Sequence, residues 1–145
     1  MEQWIMKAFH VNKLIDKLLD TENINNLLGG KKVYPLIGKW MPKSQVFDLP
    51  AIVYMRQSME MSLTKDMYSL PWEVPIQIDI VTKKYEQGLS IADEVYKIFA
   101  TLSSSYEIDS SLTFNNVSAK IATIQESTLN VDSYCQTFYI TLRFS

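Results

Sequence analysis

The stretch Pro75–Phe99, PIQIDIVTKKYEQGLSIADEVYKIF, changes its hydrophobic period partway along. Ile76, Ile78 and Ile80 alternate with Gln77, Asp79 and Val81. Side chains of a strand point to opposite faces in turn, so three isoleucines line one face and the acid lies on the other. Farther on, Ile91, Val95, Ile98 and Leu102 recur at helical spacing, with Ala92 and Phe99 widening the stripe. Ser90 followed by Asp93 has the form of a capping box at the start of that helix. A half-buried strand feeding a one-faced helix requires a sheet with a helix packed on it.

The rest of the chain fits that requirement. From Gln3 to Asp20, Trp4, Ala8, Val11, Ile15 and Leu18 recur at spacings of four and three, which predicts a second amphipathic helix. TENINNLLGG reads as a further short helical turn, capped by Thr21 and stopped by Gly29-Gly30. KKVYPLI is a short strand, and Pro35, which lacks an N–H, belongs at an edge or bulge. AIVYMRQSM alternates, with Ala51, Val53 and Met55 against Ile52, Tyr54 and Arg56. SSSYEIDSS reads as a connection, Val117–Gln125 as a strand of weak pattern, and STLNVDS as a turn. YCQTFYITLRF closes the chain, with Phe138, Ile140, Leu142 and Phe144 on one face. The expectation is one α+β domain over residues 1–145: a mostly antiparallel four- to five-stranded sheet with two amphipathic helices on one face. The strand–helix–strand passage through the second of these helices leaves room for one parallel pairing by a right-handed crossover.

The residues carry little sign of chemistry. Asp79 has Gln77 and Val81 as neighbours on its face and no second acid two residues away, so it reads as an outward or interface carboxylate. His10 is the single histidine and has no companion for a metal set. Cys135 is the single cysteine; it excludes an internal disulfide, and no helix N-terminus or basic cluster beside it lowers its pKa. The glycines form no phosphate-cradling loop. No enzyme and no cofactor is expected. A net charge of −2, with Lys31-Lys32 and Lys83-Lys84 the only basic doublets, argues against gripping nucleic acid. No apolar run is long enough to cross a bilayer, and the N-terminus lacks the form of a signal peptide, so a cytoplasmic, non-membrane protein is expected.

What the core does not absorb lies in two long loops. Trp40, Met41 and Phe47 fall in the first, and Met59, Met61, Met67, Tyr68 and Trp72 in or beside the second. Four of the seven methionines lie between Met55 and Met67. Large adaptable side chains on loops either fold back over a small core or contact another subunit.

The segments NNLLGGKKVYP, LPAIVYMRQS, IQIDIVTKKYEQGLSIADEVYKIF and FYITLRF together resemble the tail-terminator (tail-completion) proteins of long-tailed bacteriophages and prophages. The resemblance spans roughly residues 10–102 and the last strand, and departs in loop 38–49 and in 103–134. It implies a small α+β protein that closes into a ring, usually a hexamer, on the head-proximal end of the tail tube. Such a ring stops tube polymerisation and joins the tail to the head-side connector protein. Its implied partners are other copies of itself, the tail-tube protein and the connector, with DNA passing through ungripped. The implied locations are the host bacterial cytoplasm during assembly and then the virion tail. No functional residue carries over, since the family works through surfaces. The rival readings are another head–tail neck or minor capsid protein, and a small-ligand-binding or enzymatic α+β domain with the loop aromatics as a pocket wall.

Overall fold

The computed structural model describes residues 10–35, 49–57, 72–110, 112–130 and 133–144. Among them the elements run α1 (Val11–Leu19), α2 (Glu22–Leu28), β1 (Val33–Pro35), β2 (Ala51–Arg56), β3 (Trp72–Thr82), α3 (Tyr85–Ala100), β4 (Ser103–Asp109), β5 (Leu112–Asn130) and β6 (Ser133–Phe144). The strands form one sheet in the order β1-β2-β3-β6-β5-β4. Every neighbouring pair is antiparallel except β1–β2.

The coarse α+β class therefore holds, but the element count and the pairing do not. Among the described residues the sheet is mixed and has six strands, and there are three helices. The parallel pairing that the sequence left room for across α3 does not form among the described strands: β3 is flanked by β2 and β6, which leaves no free side for β4. SSSYEIDSS, read as a connection, supplies strand β4 instead. Its first three serines are exposed, and an edge strand with solvent around it needs no apolar alternation. β5 runs well past the expected Val117–Gln125, and STLN, read as part of a turn, continues its ladder opposite Cys135, Tyr134 and Ser133. Backbone pairing with β6 overrides the weak strand preference of those polar residues.

Ile76, Ile78 and Ile80 stand opposite Ile140, Phe138 and Gln136, and all three isoleucines are fully buried. Leu142 and Phe144 continue the same face. Ile15 of α1 and Val95 and Phe99 of α3 belong to the same apolar cluster, and Ile98 packs at its margin. The helices cover this face, as the alternation predicts.

α1 packs against β1 and β2 at one side of the sheet and against β4 at the other. Tyr54 Oη donates to the carbonyl of Asn12 (3.2 Å), and Lys17 Nζ donates to the carbonyl of Glu107 (2.9 Å). Six flat strands at ~4.8 Å spacing would put the outer strands ~24 Å apart, more than twice the width of a helix. The sheet therefore curls around α1. Burial, and then the nearby Asp16 charge, raise the Tyr54 phenol above its ordinary pKa, so it remains a donor.

The short helix ends as expected. Thr21 Oγ1 accepts from the Ile24 N–H (3.2 Å), and Gly29 closes α2 at φ 74°, in the left-handed region. The start of α3 differs from expectation. It begins at Tyr85, with Lys84 at the cap and no side-chain capping bond. Ser90 lies inside the helix and donates to the Glu86 carbonyl (3.1 Å), while Asp93 pairs with Lys97 (3.1 Å). Gly88 is buried within α3, facing Thr82 at the end of β3. A Cβ there would sit 2.9 Å from Thr82 Oγ1, which donates to the Lys84 carbonyl (2.8 Å).

Two outcomes follow. Ile78→Ala lowers the unfolding free energy by ~2–5 kcal/mol, measured by denaturant titration; a near-neutral value would mean that this face is not the core. Gly88→Ala is neutral or destabilising in the native sequence but stabilising in a Thr82→Ala background. The helix-propensity gain of up to ~1 kcal/mol then appears without the clash. A double-mutant cycle with no coupling between the two positions would contradict the contact.

Candidate assembly surface

Asp79 stands opposite Val53 and Thr137 on the face away from the helices. Its Oδ1 accepts from Thr137 Oγ1 (2.7 Å), and Gln77 Nε2 reaches both carboxylate oxygens (3.3 and 3.1 Å). Gln77 in turn accepts from Gln57 Nε2 (3.2 Å). The acid is thus one member of a cross-strand polar ladder, held by neutral donors, and it has no carboxylate or imidazole partner in that ladder. Cys135, on the same face, is buried and touches Thr137 Oγ1 (3.4 Å). Burial raises its thiol pKa, against a smaller lowering by Thr137, so the reactive thiolate is disfavoured. His10 precedes α1 and makes no side-chain capping bond to it. Among the described residues no three His, Cys, Asp or Glu side chains form a metal-binding group. No described helix is long and apolar enough to cross a membrane.

Of the loop residues read as an interface, Trp40, Met41, Phe47, Met59, Met61, Met67 and Tyr68 lie outside the described residues. Trp72 opens β3 opposite Phe144, with its side chain also outside the description.

The structure exposes a different apolar surface. Tyr85, Leu89 and Tyr96 of α3 are 41%, 41% and 48% exposed, and Ile124 of β5 is 46% exposed. On α3 the buried stripe is Gly88, Ile91, Val95 and Phe99. The exposed stripe runs beside it along the helix. β5 flanks it: Tyr96 and Ala100 face Ala119, Ile121 and Ile124 across one shallow groove. A second groove lies between Tyr85, Glu126, Thr128 and Tyr134. There Tyr85 Oη donates to Glu126 Oε1 (2.6 Å), and the Tyr85 and Tyr134 rings meet edge-on at 5.6 Å. The Tyr85 hydrogen bond, and then that of Gln136, hold the Glu126 carboxyl below its usual pKa. The sequence does carry a signal for this surface. Tyr85, Leu89, Ala92, Tyr96 and Ala100 recur at helical spacing beside the core stripe, but periodicity alone does not tell a wide core face from a core face with an exposed neighbour.

No known family model matches the sequence, and no curated protein does. Among solved structures, the fold matches a chain described as "Virion of native gene transfer agent (GTA) particle". The TM-score is 0.55 at 10% identity, over 88% of this chain and 89% of that one. At that identity the likeness establishes a shared fold across nearly the whole of both chains.

Tyr85→Phe removes the hydrogen bond that contributes most to the lowered Glu126 pKa and leaves the Gln136 bond. The Glu126 carboxyl then titrates closer to its ordinary value, read by carboxyl-carbon NMR against pH. In the native chain, stability drawn from this contact is present above the unfolded-state pKa and is lost as pH falls through the folded one. An unchanged titration would mean that the hydrogen bond does not form in solution.

Proposed function

We propose that this chain is a structural component of a phage-like particle and, within that class, a tail terminator. The observation that carries the class is the fold shared, nearly end to end, with a chain of a gene transfer agent virion. The finer role rests on the sequence resemblance to tail-completion proteins. In this reading the protein closes into a ring, a hexamer, on the head-proximal end of the tail tube. It stops tube polymerisation and presents a surface to the head-side connector protein. It works in the host cytoplasm during assembly and stays in the virion tail, without cofactor and without catalysis.

The physical reading supports an assembly role. Asp79 and Cys135 are tied into local hydrogen bonds, with no catalytic partner among the described residues. Large apolar groups stand exposed on α3 and β5. A net charge of −2 suits a ring through which DNA passes without being held. Head-to-tail contacts between two different patches close into a ring when the rotation allows.

The test is to mix purified protein with its cognate tail tubes and image the ends by electron microscopy. Density capping one end is expected, reduced by Trp40→Ala or Trp72→Ala. Bare tubes of uncontrolled length at saturating protein would overturn the terminator role. Density on an isolated head connector, with bare tubes, would assign the chain to the neck instead.

A further inference from the structure

We propose that the outer edge of β5, over residues 119–130, is a pairing edge for a second copy of this chain. A sheet edge presents a row of unpaired N–H and C=O groups, and soluble proteins normally blunt it. Two of the edges here are blunted. β1 has three residues and ends in Pro35. β4 is broken by two register shifts, and Lys17 Nζ occupies the Glu107 carbonyl.

β5 is treated differently. β4 covers it from Leu112 to Ser118. From Ala119 to Asn130 its ladder partner is β6, on one side, and no other described strand pairs with it. That stretch contains neither proline nor glycine and is ~40 Å long at strand rise. Residues 122–128 are exposed, so side chains from both faces meet solvent. Tyr85, Leu89 and Tyr96 stand exposed on the helix alongside.

A bare strand edge selects an extended strand as its partner, because only that conformation matches its donors and acceptors in register. On a second copy, the longest described edge that is not blunted is the same stretch of β5. The contact is therefore isologous: two β5 edges, antiparallel, about a two-fold axis. The register follows from the requirement that paired residues share a face. β5 slips one residue against β6 between Ile121 and Thr123. Placing the axis at Gln125 puts Thr123 opposite Ser127 and Ile124 opposite Glu126 of the second copy, each on its own face. With Ala122 left in the bulge, Ile121 then meets Thr128, also face to face. β4 ends its pairing at Ser118, so the incoming strand has room to run to its own Asn130, where the chain turns back into β6.

The area is adequate. Two tyrosines a little under half exposed, at ~150–250 Å² each, with Leu89 and Ile124, remove roughly 300 Å² per copy from water. The paired edge adds a similar amount, reaching the ~600 Å² per partner at the lower end of stable interfaces. The contact is separate from the head-to-tail ring contacts of the proposed function, which fall on other surfaces of the chain, and it is tested without tail tubes.

The experiment uses the full chain. Sedimentation should show a concentration-dependent dimer, and amide exchange within 119–130 should slow as the dimer fills. Gln125→Cys in a Cys135→Ser background should form a disulfide dimer on mild oxidation, since residues on the axis face each other directly. Ser104→Cys on β4 in the same background should not. Gln125→Lys, which sets two like charges across the axis, should weaken dimerisation at least about tenfold. Gln125 is exposed, so these variants keep the fold, checked by circular dichroism. A monomer at every concentration up to ~1 mM would overturn the proposal. So would an oligomer whose 119–130 exchange is unchanged, or equal cross-linking through positions 104 and 125.

Discussion

The fold depends on the register of β3 against β6. Trp72 to Thr82 lie opposite Phe144 to Tyr134 without a break. A slip of one residue would turn Ile76, Ile78 and Ile80 away from Phe138, Ile140 and Leu142 and present Gln77 and Asp79 to the core. The loss of three buried isoleucines, at ~1.5–3 kcal/mol each, far exceeds what any single hydrogen bond in the ladder returns. With that register fixed, the apolar face is fixed, and with it the side on which α3 must lie. The position of α3 in turn leaves little room for a side chain at Gly88, which faces Thr82.

The opposite face has its own logic. Ala51, Val53, Cys135 and Thr137 are buried there, while Gln57, Gln77, Asp79 and Thr137 join in a hydrogen-bonded row. A carboxylate with two neutral donors gains specificity of register from them, because each bond spans a defined pair of positions. Asp79 thus marks the non-core face of the strand; Gln77 is its visible neighbour in sequence, whereas Thr137 lies across the strand pair, where sequence does not show it.

α3 connects the core to the exposed surface. One stripe of the helix closes the core, and the adjacent one carries Tyr85, Leu89 and Tyr96 into solvent beside β5. Exposed apolar groups of this size, set side by side, form a surface suited to contact with another molecule. The extended hairpin of β5 and β6 reaches past β4, so that no other described strand pairs with the outer edge of β5 beyond Ser118.

Period and caps alone determined much of this protein. The isoleucine alternation of β3, the last strand, the buried stripe of α3, the Thr21 cap and the Gly29 stop are all local, and local sterics and one-sided burial write them into residue spacing. What only the tertiary structure decided is non-local. Whether SSSYEIDSS is a loop or a strand depended on β5 lying beside it, and the mostly polar residues 126–130 became strand because β6 supplies their hydrogen bonds. The early start of α3 through Gly88 followed from a close approach to Thr82, which no helix propensity foretells. The curl of the sheet, and the exposure of Tyr85, Leu89, Tyr96 and Ile124, depend on what packs against each face. A hydrophobic residue carries the same period in sequence whether its neighbour in space is core or water, so that distinction belongs to the fold.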